Sequence, residues 1–402
     1  MMKIRVFDDE KHFSKMLKTE IEEVGLPKDK FDIGVISEKE FLSAMEGLSK
    51  RRELYRKEGV WERNGANLFD DVFILLVDFD LFELQDNHNF KADTIAYLVR
   101  SFSTCGIIIR VNRFGHNPFD LTLKGDLSSF ADFDLGVEQL RNLSLWGMST
   151  NDGFSPWYWP NLPKFASDFE KRANDVENAI KSRISIRSVL GFSDEAWKRL
   201  PRVIAQFFGS SEENMQFDDF LVNSQSGLEF KDGKNLMSEK VNVDWSIFSR
   251  LAAARVSKWL EYAVLKEQDI LVDAPHLVSR FPSLIKERKN DINAWNELCV
   301  RETDLVPNLD TNIIEPFRLK NKHWISRPAW FWQGVLNCKD IADVKEPWNI
   351  EAPGWVFCED ASAFYKEDEC REFKAETISP FAGRYIKNFD RVEYFPPERF
   401  AL

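Results

Sequence analysis

Asp8, Asp9, Asp78 and Lys124 each follow a short apolar run, and they are residue types that phosphoryl-transfer chemistry can use. Ile4-Arg5-Val6-Phe7 stops at Asp8-Asp9-Glu10, Val72-Phe73-Ile74-Leu75-Leu76-Val77 stops at Asp78-Phe79-Asp80, and Leu121-Thr122-Leu123 stops at Lys124. Asp8 or Asp9, together with Asp78, supplies hard oxygen ligands of the kind that suit Mg²⁺.

Apolar runs of this length bounded by polar residues read as buried parallel strands, and the carboxyl ends of such strands gather into one crevice. Helices are expected between them. Phe13, Met16, Leu17, Ile21 and Val24 recur at helical spacing over Lys11 to Val24, with Gly25 as a stop. A second strand is predicted over Phe31 to Ile36, then a helix opening near Ser37 and extending toward Gly59. Ala92 to Cys105 predicts another amphipathic helix and Gly106 to Val111 a fourth strand. Gly115 and Pro118 make the segment Arg113 to Phe119 too short and too broken for a full helix, and Gly136 to Trp146 suits a closing helix. This βα alternation predicts an α/β domain over residues 1–150 with a doubly wound, five-stranded parallel sheet of the flavodoxin-like kind.

The order and content of these strand ends resemble the receiver domain of two-component response regulators over about the first third of the chain. Val6-Phe7-Asp8-Asp9-Glu10 stands in place of the family's apolar-Asp-Asp opening, Asp78 in place of its phosphoacceptor and Lys124 in place of its active-site lysine. The resemblance implies Mg²⁺ held by Asp8, Asp9, Asp78 and the main-chain carbonyl of Asp80, with Lys124 pairing with Asp78 or with the phosphoryl oxygens. It also exposes departures. Asn112 takes the place of a hydroxyl residue at the end of the fourth strand, Leu121 that of a switch aromatic and Gly125 that of a proline. An insertion falls between about Arg51 and Asn67.

A chain of 402 residues is long for one core, so further domains are expected. Pro156-Trp157-Tyr158-Trp159-Pro160 predicts an aromatic linker over 151–163. Residues 164–402 then read as a mostly helical, loop-rich output or interaction domain. Its helices are expected over Phe165 to Ile186, Asp194 to Phe208 and Trp245 to Leu265, with a sub-boundary near 305. The net charge of -12 disfavours a sequence-independent grip on nucleic acid. Five cysteines without a C-x-x-C pair point to reduced thiols. No apolar stretch approaches a bilayer span, so a cytoplasmic protein without membrane contact is expected.

Other residues admit chemistry beside blander accounts. Asp273 and His276 could form a general-base pair, or His276 could be satisfied by a loop carbonyl. His323, Cys338, Cys358 and Cys370 follow no zinc spacing, and Cys358-Glu359-Asp360 reads more simply as a strand end or helix cap than as a nuclease-type metal site. The tryptophans from Trp324 to Trp355 serve either a partner surface or core filling. Asp78-Phe79-Asp80 also resembles the Asp-x-Asp motif of haloacid-dehalogenase phosphatases, and an enzyme of that kind, or a hydrolase or nuclease in the C-terminal half, is the alternative. A signalling or regulatory protein that relays phosphorylation of Asp78 to a protein-interaction domain is expected. Its expected partner is a histidine kinase-like ATPase or other signalling protein, with a homodimer as a further candidate, and bacterial conflict or phage-defence systems offer a precedent for such fusions.

Overall fold

The computed structural model describes residues 1–79, 81, 84, 91–112, 127, 129–148, 160–208, 214–221, 243–284, 309–341, 355–358, 361, 363–373 and 384–387, without the side chains of residues 138, 282, 311, 373 and 384. Five strands form one parallel sheet: β1 (Met2–Phe7), β2 (Phe31–Val35), β3 (Ile74–Asp78), β4 (Ile107–Asn112) and β5 (Phe133–Gly136). They lie in the order β2-β1-β3-β4-β5, as in a flavodoxin-like α/β domain. Central β3 is buried along its whole length, as its unbroken Ile-Leu-Leu-Val run requires of a strand covered on both faces.

Helix α1 (Lys11–Glu23) and helix α2 (Glu38–Glu58) follow β1 and β2. Right-handed crossovers place them on opposite faces of the sheet. Ser37 and Glu40 form a reciprocal capping box at the start of α2, and Gly59, at φ +69°, closes it in the left-handed conformation that glycine tolerates. Helix α3 (Ala92–Phe102) packs beside α2. Between α3 and β4 stands Gly106, where a Cβ would lie 2.2 Å from the carbonyl oxygen of Phe73, so only glycine lets these backbones meet.

The sheet's fifth position corrects one expectation. It is occupied by Phe133–Gly136, not by Leu121–Leu123, which lie with Lys124 outside the described residues. Arg113 to Phe119 likewise lie outside them. After β5 come a single helical turn, α4 (Val137–Leu140), and a 3₁₀ turn at Leu143–Trp146, shorter than one continuous closing helix.

Helix α5 (Leu162–Ser182) begins with Asn161 as its cap and Pro163 in its first turn. Four short helices follow: α6 (Ile186–Leu190), α7 (Asp194–Lys198), α8 (Arg202–Ala205) and α9 (Phe217–Leu221). The single helix expected over Asp194 to Phe208 is split at Pro201, which lacks the amide a continuous helix needs there. Helix α10 (Trp245–Trp259), extended by a π turn over Leu260–Val264, packs along α5 and also against α3. The apolar core is therefore continuous from Ile4 in β1 through α5 and α10 to Ala329. Residues 151–159 of the expected linker and the expected sub-boundary near 305 lie outside the described residues.

A second, smaller cluster gathers around helix α11 (Ala274–Arg280) and includes Val272, Leu277, Trp330, Phe357 and Phe364. Its strands are the antiparallel pair β6 (Leu271–Asp273) and β7 (Ala329–Phe331), and a four-stranded sheet ordered β10-β11-β8-β9. That sheet is built from β8 (Trp355–Cys358), β9 (Ala363–Lys366), β10 (Arg371–Phe373) and β11 (Arg384–Ile386). Trp324 and Trp330 are buried core residues, which favours core filling over a partner surface for these two. No helix among the described residues is long and apolar enough to cross a membrane.

Candidate metal centre

The register of the sheet builds the site. Phe7 pairs with Val77, and Asp78 pairs with Val111, so the next residues along, Asp8 and Asn112, flank Asp78 from the two neighbouring strands. Asp8, Asp9 and Asp78 each offer an oxygen within 4.8 Å of the others. Among the described residues this is the one group of three or more Asp, Glu, His or Cys side chains close enough to hold a metal ion together.

These are not acidic residues solvating a strand end. Asp8 is 3% exposed, Asp9 9% and Asp78 1%. Two unit charges about 4.8 Å apart repel by roughly 3 kcal/mol at an effective dielectric of about 20. Three carboxylates buried this close together offer a divalent cation an acidic cradle. The backbone fixes two of them in part. Glu10 donates its amide to Asp8 Oδ1 at 2.8 Å, and Leu84 donates its amide to Asp9 Oδ2 at 3.3 Å. The Ser14 hydroxyl donates to the Asp8 carbonyl at 3.0 Å and ties α1 to the β1 terminus. Phe79 donates to the carbonyl of Val111 at 2.8 Å, so the chain leaving β3 stays zipped to β4 one step beyond the acid.

The donor set fits a hard divalent cation. Oxygens sharing one Mg²⁺ at about 2.1 Å lie no more than roughly 4.2 Å apart, close to the 4.8 Å that bounds this group. Asp8, Asp9 and Asp78 are thus brought together, and Asn112 ends the neighbouring strand one step beyond the residue paired with Asp78. Lys124 and Asp80, the other residues expected at the site, lie outside the described residues.

Sequence reasoning missed the charged frame beside this crevice. Arg110 grips Asp134 of β5 through Nε at 2.5 Å and Nη2 at 2.6 Å, pairs with Asp93 of α3, and lies over the ring of Phe79 at 4.9 Å. Arg100 of α3 bonds Asp132 at 2.5 Å and the carbonyl of Gly106 at 2.8 Å. From α10, Lys258 donates to the carbonyls of Ser129 at 3.0 Å and Ala131 at 2.6 Å, and Arg255 to that of Leu127 at 2.5 Å. Burial pushes the Lys258 ammonium down to about 8, against the pull of Asp132 and Asp134. The approach to β5 is thereby fastened on one side to α3 and β4, and on the other to α10. Arg110, a lone charge inside the apolar run of β4, is the one signal in the sequence, but its partners are set by tertiary pairing.

The remaining candidates settle into structural positions. Asp273 caps α11, contacts His276 Nδ1 at 2.7 Å and accepts from Arg327 Nε at 2.9 Å, so His276 meets a carboxylate rather than a loop carbonyl. Asp175 accepts from Trp324 Nε1 at 3.0 Å and lies 2.5 Å from His323 Nε2, which holds its carboxyl below the usual range despite burial. His323, Cys338, Cys358 and Cys370 form no common metal group among the described residues, and Glu359 and Asp360 lie outside them. Comparison with known protein families, with curated proteins and with solved structures gives no match to this chain.

Proposed function

We propose that the chain is a signalling or regulatory protein whose α/β domain, receiver-like in design, binds Mg²⁺ through Asp8, Asp9 and Asp78 and accepts a phosphoryl group on Asp78. The observation carrying this reading is the burial of three carboxylates, with oxygens within 4.8 Å, at the ends of adjacent parallel strands. A bound divalent ion would offset the charge that gathers on the phosphoryl oxygens. An Asp78 oxygen attacks phosphorus, the bond from phosphorus to the donor's leaving atom breaks, an imidazole nitrogen for a phosphohistidine donor and an oxygen for acetyl phosphate, and the product is an acyl phosphate. Asn112, one step beyond the residue paired with Asp78, can donate from its amide to the transferred group. A histidine kinase-like protein is the donor this chemistry calls for, and metal binding needs only the carboxylates.

The helical half supplies the output. Helix α10 is bonded through Lys258 and Arg255 to the residues leading into β5, so a shift of β5 reaches it directly. The test is incubation with acetyl phosphate and Mg²⁺ followed by intact-protein mass spectrometry. One added phosphoryl group, absent in Asp78→Asn and in EDTA, is expected. Equal labelling of Asp78→Asn, or none in the wild type, would overturn phosphoacceptance at this residue.

A further inference from the structure

Cys358, the last residue of β8, and Cys370, immediately before β10, have their sulfurs 3.2 Å apart although 12 positions separate them. Two features bring them together. Cys358 is held in the middle of the sheet, beside Ala363 of β9 and Tyr385 of β11. The 3₁₀ turn Glu367–Glu369 folds the chain back after β9, and the Cys370 thiol contacts the carbonyl of Lys366 at 3.1 Å. Cys358 is fully buried, whereas Cys370 is half-buried and reachable.

The geometry points to Cys358 and Cys370 as a dithiol–disulfide pair that exchanges with a low-molecular-weight disulfide of the glutathione class. The reachable Cys370 thiolate attacks one sulfur of the small disulfide, forms a mixed disulfide and releases one thiol. Cys358 then attacks the Cys370 sulfur, forming the protein disulfide and releasing the second thiol. The protein dithiol is oxidised, the small disulfide is reduced to two thiols, and both protein thiol protons leave with the products.

This differs in kind from the other described cysteines. Burial pushes the Cys105 thiol up to about 12, which keeps it protonated and inert. Cys338 is half-buried and serves as an internal reference for thiol access. The consequence of closure is local. Among the described residues, the sheet holding the pair contributes Phe357 and Phe364 alone to the buried members of the smaller core, so a covalent tie across it has a large effect on its opening.

The experiment treats the full chain with oxidised glutathione, denatures it, alkylates remaining thiols with N-ethylmaleimide and identifies the peptides by mass spectrometry. Two of the five thiols should be lost together as a Cys358–Cys370 linked peptide lacking two hydrogens, and both should return with dithiothreitol. In Cys358→Ser, glutathione should stay on Cys370, because the resolving sulfur is gone. Glutathione retained on wild-type Cys370 with Cys358 still alkylated would overturn the proposal. So would both thiols remaining alkylatable under conditions that modify Cys338, or either one joined to a different cysteine.

Discussion

Asp8 and Asp78 are neighbours because the residues before them, Phe7 and Val77, are register partners in adjacent parallel strands. A one-residue slip of β1 would turn one carboxylate to the other face and dissolve the site. The acidic pair is therefore a property of the sheet's register, and its cost in repulsion is built into the fold.

That cost gives a two-sided prediction. In EDTA, Asp78→Asn should be more stable than the wild type by about 1 to 3 kcal/mol, because one of three crowded charges is removed. In excess Mg²⁺ the order should reverse, since ligand at about 1,000 times its dissociation constant adds roughly 4.1 kcal/mol to the wild type alone. Urea unfolding with and without metal checks both signs.

Lys258 should impose a pH dependence. Burial holds its folded-state value down at about 8, whereas in the unfolded chain it titrates near about 10.4. Between these values the unfolded state binds more protons, so this group's contribution makes stability rise with pH across that window. Lys258→Met should flatten the rise. At neutral pH the same change removes the donor to Ser129 and Ala131, a loss of about 1 to 3 kcal/mol set against relief of the buried charge. The difference between wild-type and variant unfolding free energies from about pH 7 to about pH 10 isolates the effect.

Arg51 should be a stability centre. It bonds Asp70 at 2.8 and 3.0 Å and the carbonyls of Gly65 at 2.5 Å and Phe102 at 2.7 Å, tying α2 to the inserted segment and to α3. Arg51→Ala leaves Asp70 largely buried opposite a void and should cost about 3 to 5 kcal/mol. Arg51→Lys should recover only part, because an ammonium cannot span those acceptors. Denaturant midpoints for the two variants test the ranking.

Gly106→Ala should destabilise by about 1 to 3 kcal/mol or more, since the new methyl meets the Phe73 carbonyl and neither backbone can yield cheaply. A lower midpoint with an unchanged denaturant slope is the expected signature.

The strands and helices that carry Asp8, Asp9 and Asp78 were legible because buried parallel strands advertise themselves as apolar runs, and because Ser37, Glu40 and Gly59 punctuate α2 locally. β5 was not legible. It is four residues long and carries Asp134 on a fully buried strand, tolerated only because Arg110 of β4 neutralises it. A cross-strand ion pair leaves no periodic trace, so Leu121-Thr122-Leu123 looked the better strand. Lys258 and Arg255 likewise read as ordinary polar positions on a helix until the fold lays α10 against the approach to β5. The closeness of Cys358 and Cys370 depends on the turn between β9 and β10, which cysteine spacing alone does not reveal.

Calorimetric titration of Mg²⁺ into the metal-free chain reads the site itself. One saturable site is expected, lost in Asp8→Asn and in Asp78→Asn while both variants remain folded. Saturable binding unchanged in Asp78→Asn, or no binding to the folded wild type, would contradict it.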